Sequence, residues 1–322
     1  MWHSFHVKVW QNVDGAPDAP IVEPSVLTIG VFDGVHRGHQ TLLRQVKTLA
    51  QQENLASLAI TFDPHPTAVL FPDRAPMALT SIERRIELLH EHGMDHVRVL
   101  SFSKEMSAWL PSEFLDRVVV AQCSARKVIV GENFRFGARA AGDFNFLQQY
   151  GEQHGYEAYV QELAGDAESF SSTRVREALG RGEVSTAANI LGRNHEIEGT
   201  VVHGDHRGRD LGFPTANVLV EDHTAAPADG VYAGWLIRGG SARLPAAISV
   251  GTNPTFDGVE HRRIESYVLD RTDLDLYDEH IRVEFVERIR SMQTFDGVDA
   301  LLAAMNQDVA KTREFLDILP SV

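Results

Sequence analysis

The sequence predicts a chain in two parts: an α/β doubly wound parallel sheet, then a mainly antiparallel β domain followed by a C-terminal helix. Three observations carry that reading. A length of 322 residues suits roughly two domains, each large enough to bury its own core. Up to about residue 183, short β-branched runs alternate with longer helical patterns, as in a doubly wound sheet. Past about residue 184, strands follow one another across Gly, Asp and Pro turns with no helices of similar length between them. That grammar suits an antiparallel barrel or sandwich better than a second parallel sheet. The boundary is therefore set between 1–183 and 184–322.

In the first part, Ser25–Ile29 reads as a strand and about Gly38–Gln52 as a helix. Leu58–Phe62 is the next strand, ending at the prolines of Asp63-Pro64-His65-Pro66, which cannot continue a ladder. Thr80 and Glu83 form a capping-box pattern opening a helix through Leu89, and Gly93 suits its stop. Strands at Val97–Phe102 and Lys127–Gly131 flank a helix near Pro111–Val120. A helix at Phe144–His154, a strand at Ala158–Leu163 and a helix opened by Ser171, Ser172 and Thr173 complete this part. In such a sheet the ligand site lies beyond the carboxyl ends of the strands, so segments 30–39, 62–66 and 131–137 should converge. The second part has strands at Glu198–Val202, Gly230–Ile237, Ala246–Val250, Ile264–Leu269 and Ile281–Glu287. A final amphipathic helix at Val298–Leu316 places Leu301, Leu302, Met305, Val309 and Phe315 on one stripe, read as core. His3, His6 and the Asp14–Asp18 stretch read as an edge strand and loop without assignable chemistry.

Composition excludes several function classes. A formal charge of −15 argues against a nucleic-acid scaffold, which needs clustered Lys and Arg. No apolar run approaches the roughly 20 residues of a membrane span, and the opening residues lack a secretory signal pattern. The single cysteine, Cys123, supplies neither an internal disulfide nor a metal cluster and reads as a buried small hydrophobe in a reducing cytoplasm. The trio His90, His92 and His96 reads as a surface helix end, because i and i+2 residues do not share a helix face.

The first chemical constellation runs Gly30, Phe32, Asp33, Gly34, His36, Gly38, His39 between a strand and a helix. At i, i+3 spacing both histidines can face one ligand in the first helical turn. Free backbone N–H groups and the helix dipole make that turn an anion site, and the glycines let backbone approach a phosphate. Zinc would need a third ligand, which no HExxH or Cys cluster supplies. Nucleotide phosphate binding is the favoured reading.

This segment resembles the HxGH signature of the nucleotidylyltransferase superfamily and, more narrowly, the amino-terminal module of the bacterial bifunctional riboflavin kinase/FAD synthetase family. Thr61–Pro66, Val130–Gly137 and Ser171–Arg176 match that family in order, with Phe170 where Ile is usual. The resemblance implies that His36 and His39 bind ATP phosphates and stabilise charge developing in adenylyl transfer. Gly30, Phe32, Asp33, Gly34 and Gly38 would shape that nucleotide site, while Arg176, Ser172 and Thr173 would hold the departing pyrophosphate. Asn133 and Phe136 would contact the flavin side, and Asp63, Pro64 and Pro66 would shape its ring pocket. Read singly, Phe136 also suits a core position and Arg176 a helix cap.

The second constellation spans Gly199 to Asn217, where Gly204, Gly208, Arg209 and Gly212 form a basic loop able to cradle phosphates. It is no Walker A loop. Pro214-Thr215-Ala216-Asn217 adds two neutral oxygen ligands of the kind magnesium accepts beside substrate phosphates; alone, the tetrapeptide would more often be a turn. The segment resembles the riboflavin kinase module, and the likeness continues through Asp229–Gly234, Ser249–Thr255, Glu265–Asp270 and Asp275–Tyr277. It implies a β-barrel, magnesium of MgATP held by Thr215 and Asn217, and Glu265 as general base for the ribityl 5′-hydroxyl. Without the likeness, Glu265 would read as a solvated charge. Asp278, Met292 and Thr294 depart from the family pattern near the flavin side.

The resemblance covers about Ile21–Val309. It implies an enzyme that makes FMN and then FAD from riboflavin and two ATP, with Mg²⁺ and no tightly bound prosthetic group. Neither nucleic acid nor membrane is a partner in this reading, and weak self-association is compatible with it. An aminoacyl-tRNA synthetase relative fits less well, given the acidic balance, the missing KMSKS and the second module. A flavin- or nucleotide-binding sensor without turnover would have less reason to keep all these residues.

Overall fold

The computed structural model describes residues 8–11, 23–161, 170–204, 212–239, 243–254 and 260–318. Among these, 8–76 and 82–171 form one compact unit, and 77–81 with 172–318 form another. No helix of the described residues is long and apolar enough to cross a membrane.

The first unit is built on six parallel strands: β1 (Lys8–Gln11), β2 (Ser25–Ile29), β3 (Ala56–Asp63), β4 (His96–Ser101), β5 (Ala125–Gly131) and β6 (Glu157–Gln161). They lie in the order β1-β4-β3-β2-β5-β6. All five residues of β2 are buried, as a central strand covered on both faces requires. One face packs Val26, Ala59, Val97 and Val99 beneath α1 (Arg37–Glu53) and α2 (Ile82–Glu91). Helix α1 contributes Leu42, Leu43, Val46 and Ala50, an i, i+1, i+4, i+8 stripe, and ends on Asn54 in the left-handed region. The other face packs Leu27, Ile29, Leu58 and Val130 against Phe114, Leu115, Val118, Val119 and Cys123. The helix expected near Pro111–Val120 is a single α-turn, Pro111–Phe114, followed by a π-helical turn, Leu115–Val120. Helix α3 (Phe144–His154) has the expected bounds, capped by the Asp143 side chain and stopped by Gly155 at φ +80.

Some elements lie outside the sequence expectation. Strand β1 occupies Lys8–Gln11, beside the edge strand read at His3 and His6, which fall outside the described residues together with Asp14–Asp18. In the second unit, α4 (Ser172–Gly180) is followed by an unanticipated helix, α5 (Val184–Leu191), whose Val184, Ala187, Ile190 and Leu191 are buried. Residues 162–163, expected to end a strand, are also outside the described set.

The second unit closes six strands into an antiparallel barrel: β7 (His195–Val202), β8 (Thr215–Leu219), β9 (Gly230–Ile237), β10 (Arg243–Pro254), β11 (Glu260–Val268) and β12 (His280–Arg290), ordered β10-β11-β8-β7-β12-β9. Strand β8 is not among the strands expected from the sequence: the tetrapeptide Pro214–Asn217, which taken alone would more often be a turn, is extended from Thr215 onward by backbone pairing to β7 and β11. Along β7, β8 and β11 alternation is strict, so Ile197, Val201, Ala216, Val218, Ile264 and Val268 point into the barrel and their neighbours point out. Helix α6 (Val298–Phe315) corrects another expectation. Its fully buried positions are Asp308 and Thr312, while Leu301, Leu302, Met305 and Val309 are half-buried and Phe315 is exposed. The polar pair wins because Asp308 accepts from the Arg290 guanidinium at 2.9, 3.1 and 2.7 Å, tying α6 to β12.

Candidate active sites

In the first unit, β3, β2 and β5 are adjacent and parallel, so the loops leaving Asp63, Ile29 and Gly131 emerge on one edge. The chain winds from β2 outward through β3 and β4 and then returns to β5 on the other side of β2. That reversal makes the β2–β5 boundary the topological switch point, where open α/β sheets bind ligands.

The loop at that point is backbone-strained. Phe32 and Val35 adopt φ +53 and +40 around Gly34 at +80, and both apolar side chains are buried as anchors. Non-glycine residues held there cost of order 1–3 kcal/mol each, a cost the surrounding packing offsets. The strained turn leads into His36, the N-cap of α1, whose Nδ1 accepts from the His39 N–H at 3.4 Å. The two imidazoles stack at 3.7 Å and 19°, and the Phe32 ring meets His39 edge-on at 5.2 Å. A pair of imidazoles thus sits on the positive end of a 17-residue helix. Burial first, then the neighbouring His36 and Arg85, push His39 well below the usual imidazole range, so it is neutral at pH 7. Its Nδ1 is buried without a hydrogen-bond partner among the described residues.

Arg85 is the residue that sequence reasoning missed. It lies on α2, buried beside Leu88 and Leu89 rather than on the solvent face. Its Nη1 donates to the Phe62 carbonyl at 3.0 Å and lies 3.4 Å from Thr61 Oγ1, and its Nη2 lies 3.8 Å from buried Asp33. A basic residue within the apolar stripe of an amphipathic helix was the available signal.

The other residues assigned to this module are distributed as follows. Asp63 and Pro64 are exposed and joined by a cis peptide, and Pro66 starts a short helix capped by His65. Asn133 is exposed just beyond β5. Phe136 is buried, stacked on Phe134 at 5.3 Å and packed against Phe114 and Phe146. Ser172, Thr173 and Arg176 lie on α4 of the second unit, where the Arg176 Nε donates to the Met77 carbonyl at 2.6 Å. His90 and His96 serve different partners, the Met94 carbonyl and Glu23, and no His/Cys/Asp/Glu metal cluster occurs among the described residues.

In the second unit the register of three strands builds a row on the outer face of the barrel. Glu265 on β11 is directly opposite Asn217 on β8 and Ser249 on β10, and Tyr267 is opposite Thr215. Directly opposed residues hold their Cβ atoms about 4.5–5.5 Å apart, so a carboxylate and an amide oxygen share one patch. All five are partly exposed, alternating with buried Ala216, Ile264 and Ser266. Two neutral oxygens beside a carboxylate are a donor set that fits magnesium. Gly204 stands over this row: a Cβ there would meet the Asn217 amide nitrogen at 2.2 Å. The glycine assigned to phosphate binding therefore also makes room for Asn217. Gly212, at φ +87, turns the chain towards β8, whereas Gly208 and Arg209 lie outside the described residues. Met292 sits beside the row, its sulfur 4.0 Å from Ser249 Oγ.

Comparison with known proteins bears on both sites. Residues 18–174 match the family model for FAD synthetase and residues 191–316 that for riboflavin kinase. A bifunctional riboflavin kinase/FMN adenylyltransferase of Escherichia coli strain K12 is 36% identical over 97% of this chain and 99% of its own length. One of Listeria monocytogenes is 35% identical over 90% of this chain and 92% of its own. A solved structure titled as a macrolide-efflux protein from Streptococcus pneumoniae is 33% identical, with a TM-score of 0.83, covering 92% of this chain and 96% of its own. Two modules matched in order, and relatives matched along nearly their full length, place this chain in the bifunctional riboflavin kinase/FMN adenylyltransferase family.

Proposed function

We propose that the barrel row phosphorylates riboflavin to FMN with MgATP and that the β2–β5 edge adenylylates FMN to FAD, releasing pyrophosphate, the modules meeting at 183/184. Two observations, one in each unit, carry the reading: the register that sets Glu265 opposite Asn217 in the barrel, and the stacked His36–His39 pair at the head of α1.

The two reactions ask for different chemistry, and the two sites differ accordingly. An alcohol is protonated at neutral pH, so the ribityl 5′-hydroxyl needs a base as its oxygen attacks the γ-phosphorus and ADP leaves; Glu265 takes that proton. Thr215 and Asn217 would hold magnesium with the ATP phosphates, and the ion when bound offsets charge on the transferring group. FMN, by contrast, brings a phosphate with a second pKa of about 6, mostly dianionic at pH 7. Its oxygen bonds to the α-phosphorus of ATP as the α–β bridge breaks, so alignment and hydrogen-bond donors suffice. His36 and His39 donate to the nucleotide phosphates within the site shaped by Gly30, Phe32, Asp33, Gly34 and Gly38. Arg176, Ser172 and Thr173 hold the leaving pyrophosphate. Asp63, Pro64, Pro66, Asn133 and Phe136 form the flavin side, and Gly204, Gly208, Arg209 and Gly212 the kinase phosphate loop. The enzyme is cytoplasmic, self-associates weakly and needs no resident prosthetic group.

A chromatographic time course with riboflavin, ATP and magnesium tests this reading. FMN should rise first and FAD follow. His36→Ala should stop at FMN, and Glu265→Ala should convert only supplied FMN. Unchanged FAD output from the first variant, or parental FMN output from the second, would refute the corresponding assignment.

A further inference from the structure

The two arginines of α2 are treated differently by the fold. Arg84, also buried, forms ion pairs with Glu87 and Glu91 of its own helix, both at 2.8 Å. Arg85, with 5% side-chain exposure, turns towards the carboxyl ends of β2 and β3. Through Nη1 it holds the Phe62 carbonyl, the last position before the Asp63-Pro64 loop. Through Nη2 it faces Asp33, in the strained turn before His36. Thr61, within reach of the same Nη1, donates in turn to the Val31 carbonyl at 2.8 Å. One guanidinium therefore spans two of the three loops that leave this edge, those after β2 and β3, and a planar fork is the side chain suited to holding several oxygens at once.

We propose that Arg85 is a positioning residue for adenylyl transfer, locking the Phe32–Gly34 turn to the end of β3 and placing a fixed positive charge near His39. The proposal rests on the adenylyl-transfer reading of this module. The groups around His39 are the stacked His36 imidazole and the Phe32 ring from the loop, Arg85 from α2, and Asp33 facing Arg85. The Arg85 charge is one of the influences that hold His39 neutral. A neutral, correctly placed imidazole can donate to an arriving phosphate, and the buried cation near it favours that anion through its charge.

Arg85→Met tests this with two readouts on the full chain. FMN-to-FAD turnover should fall at least about tenfold through misplacement of the loop. Riboflavin phosphorylation by the same preparation should stay at the parental rate, since Arg85 lies in the other unit. In the ligand-free protein, the His39 ring resonance, identified by its loss in His39→Gln, should titrate at higher pH than in the parent. Arg85→Lys keeps the charge but not the fork: its His39 titration should stay near the parental position while FAD formation falls. It also carries the test if Arg85→Met does not accumulate as folded protein. In Arg85→Met, parental FAD formation, or lost FAD formation with an unmoved His39 titration, would overturn the proposal, as would parental FAD formation in Arg85→Lys. A parent chain that makes no FAD from FMN and ATP would instead overturn the adenylyl-transfer reading, and the titration arm, which needs no turnover, tells the two failures apart.

Discussion

Replacing Gly204 by alanine adds one methyl group, and the structure says where it goes. The new Cβ would lie 2.2 Å from the Asn217 amide nitrogen and 2.6 Å from its Cγ. Ordinary contact begins near 3.4 Å, so the amide must retreat by about 1.2 Å. Gly204 does not occupy the left-handed region, so alanine adopts its backbone conformation without strain. The atoms in the way are the end of a partly exposed side chain, which can move at little cost to the fold. Stability should change by no more than about 0.5 kcal/mol, as for a surface substitution. Function should not be spared, because displacing a positioned group by about 1 Å can cost on the order of 100-fold, or about 2.7 kcal/mol of barrier. The assay is FMN formation from riboflavin across a magnesium titration, with FMN-to-FAD conversion in the same tube as the control for folding. kcat/KM for riboflavin phosphorylation should drop about 100-fold, recover in part at high magnesium, and leave FAD formation unchanged. Parental phosphorylation with parental magnesium dependence would refute the placement of Asn217 at the metal. Parallel loss of both activities would show that the methyl group damages more than one side chain.

Three further predictions follow from burial. Arg98 on β4 is fully buried with no hydrogen-bond partner for any guanidinium nitrogen among the described residues, so Arg98→Met should stabilise the chain by about 1–4 kcal/mol and raise its melting temperature by calorimetry; an unchanged or lower temperature would refute an unpaired cation. Asp308→Ala strands Arg290, whose side chain is 17% exposed, and should cost about 3–5 kcal/mol in denaturant unfolding of the barrel; a loss below 1 kcal/mol would mean that the pair behaves as a surface salt bridge. Because the folded state holds His39 below 6.5, the unfolded chain binds a proton that the folded chain does not once pH falls through that value. Stability should therefore fall as pH drops below about 6.5, by up to about 1.4 kcal/mol per unit, and His39→Gln should flatten that slope; equal slopes in both proteins from pH 7.5 to 5 would refute it.

What could be read in advance depended on whether the signal was local. Helix α3 had an Asp cap, an apolar pattern and a Gly stop within its own stretch, and its bounds were legible as Phe144–His154. The His36–His39 turn was legible for the same reason: strand, glycines and helix start are contiguous. Strand β8 was not. Its residues Thr215–Leu219 carry a turn-like sequence and extend only because β7 and β11, distant in the chain, pair with them. The stripe on α6 misled because hydrophobicity marks a helix face without saying what covers it, and the Arg290–Asp308 pair takes the inner position. Arg85 escaped because its function lies in where its guanidinium reaches, to Phe62 and Asp33, more than twenty residues away in the chain.

Strand alternation gives the barrel row one more consequence. Sliding β8 by one residue along β11 would turn Thr215 and Asn217 inward and push Ala216 and Val218 out to water. Such a misthreaded barrel would lose apolar burial and both oxygens proposed to hold magnesium at the same step. Assembly and competence of this half are thus a single event, so the appearance of riboflavin phosphorylation during refolding should report, without any label, the moment at which β8 finds its place.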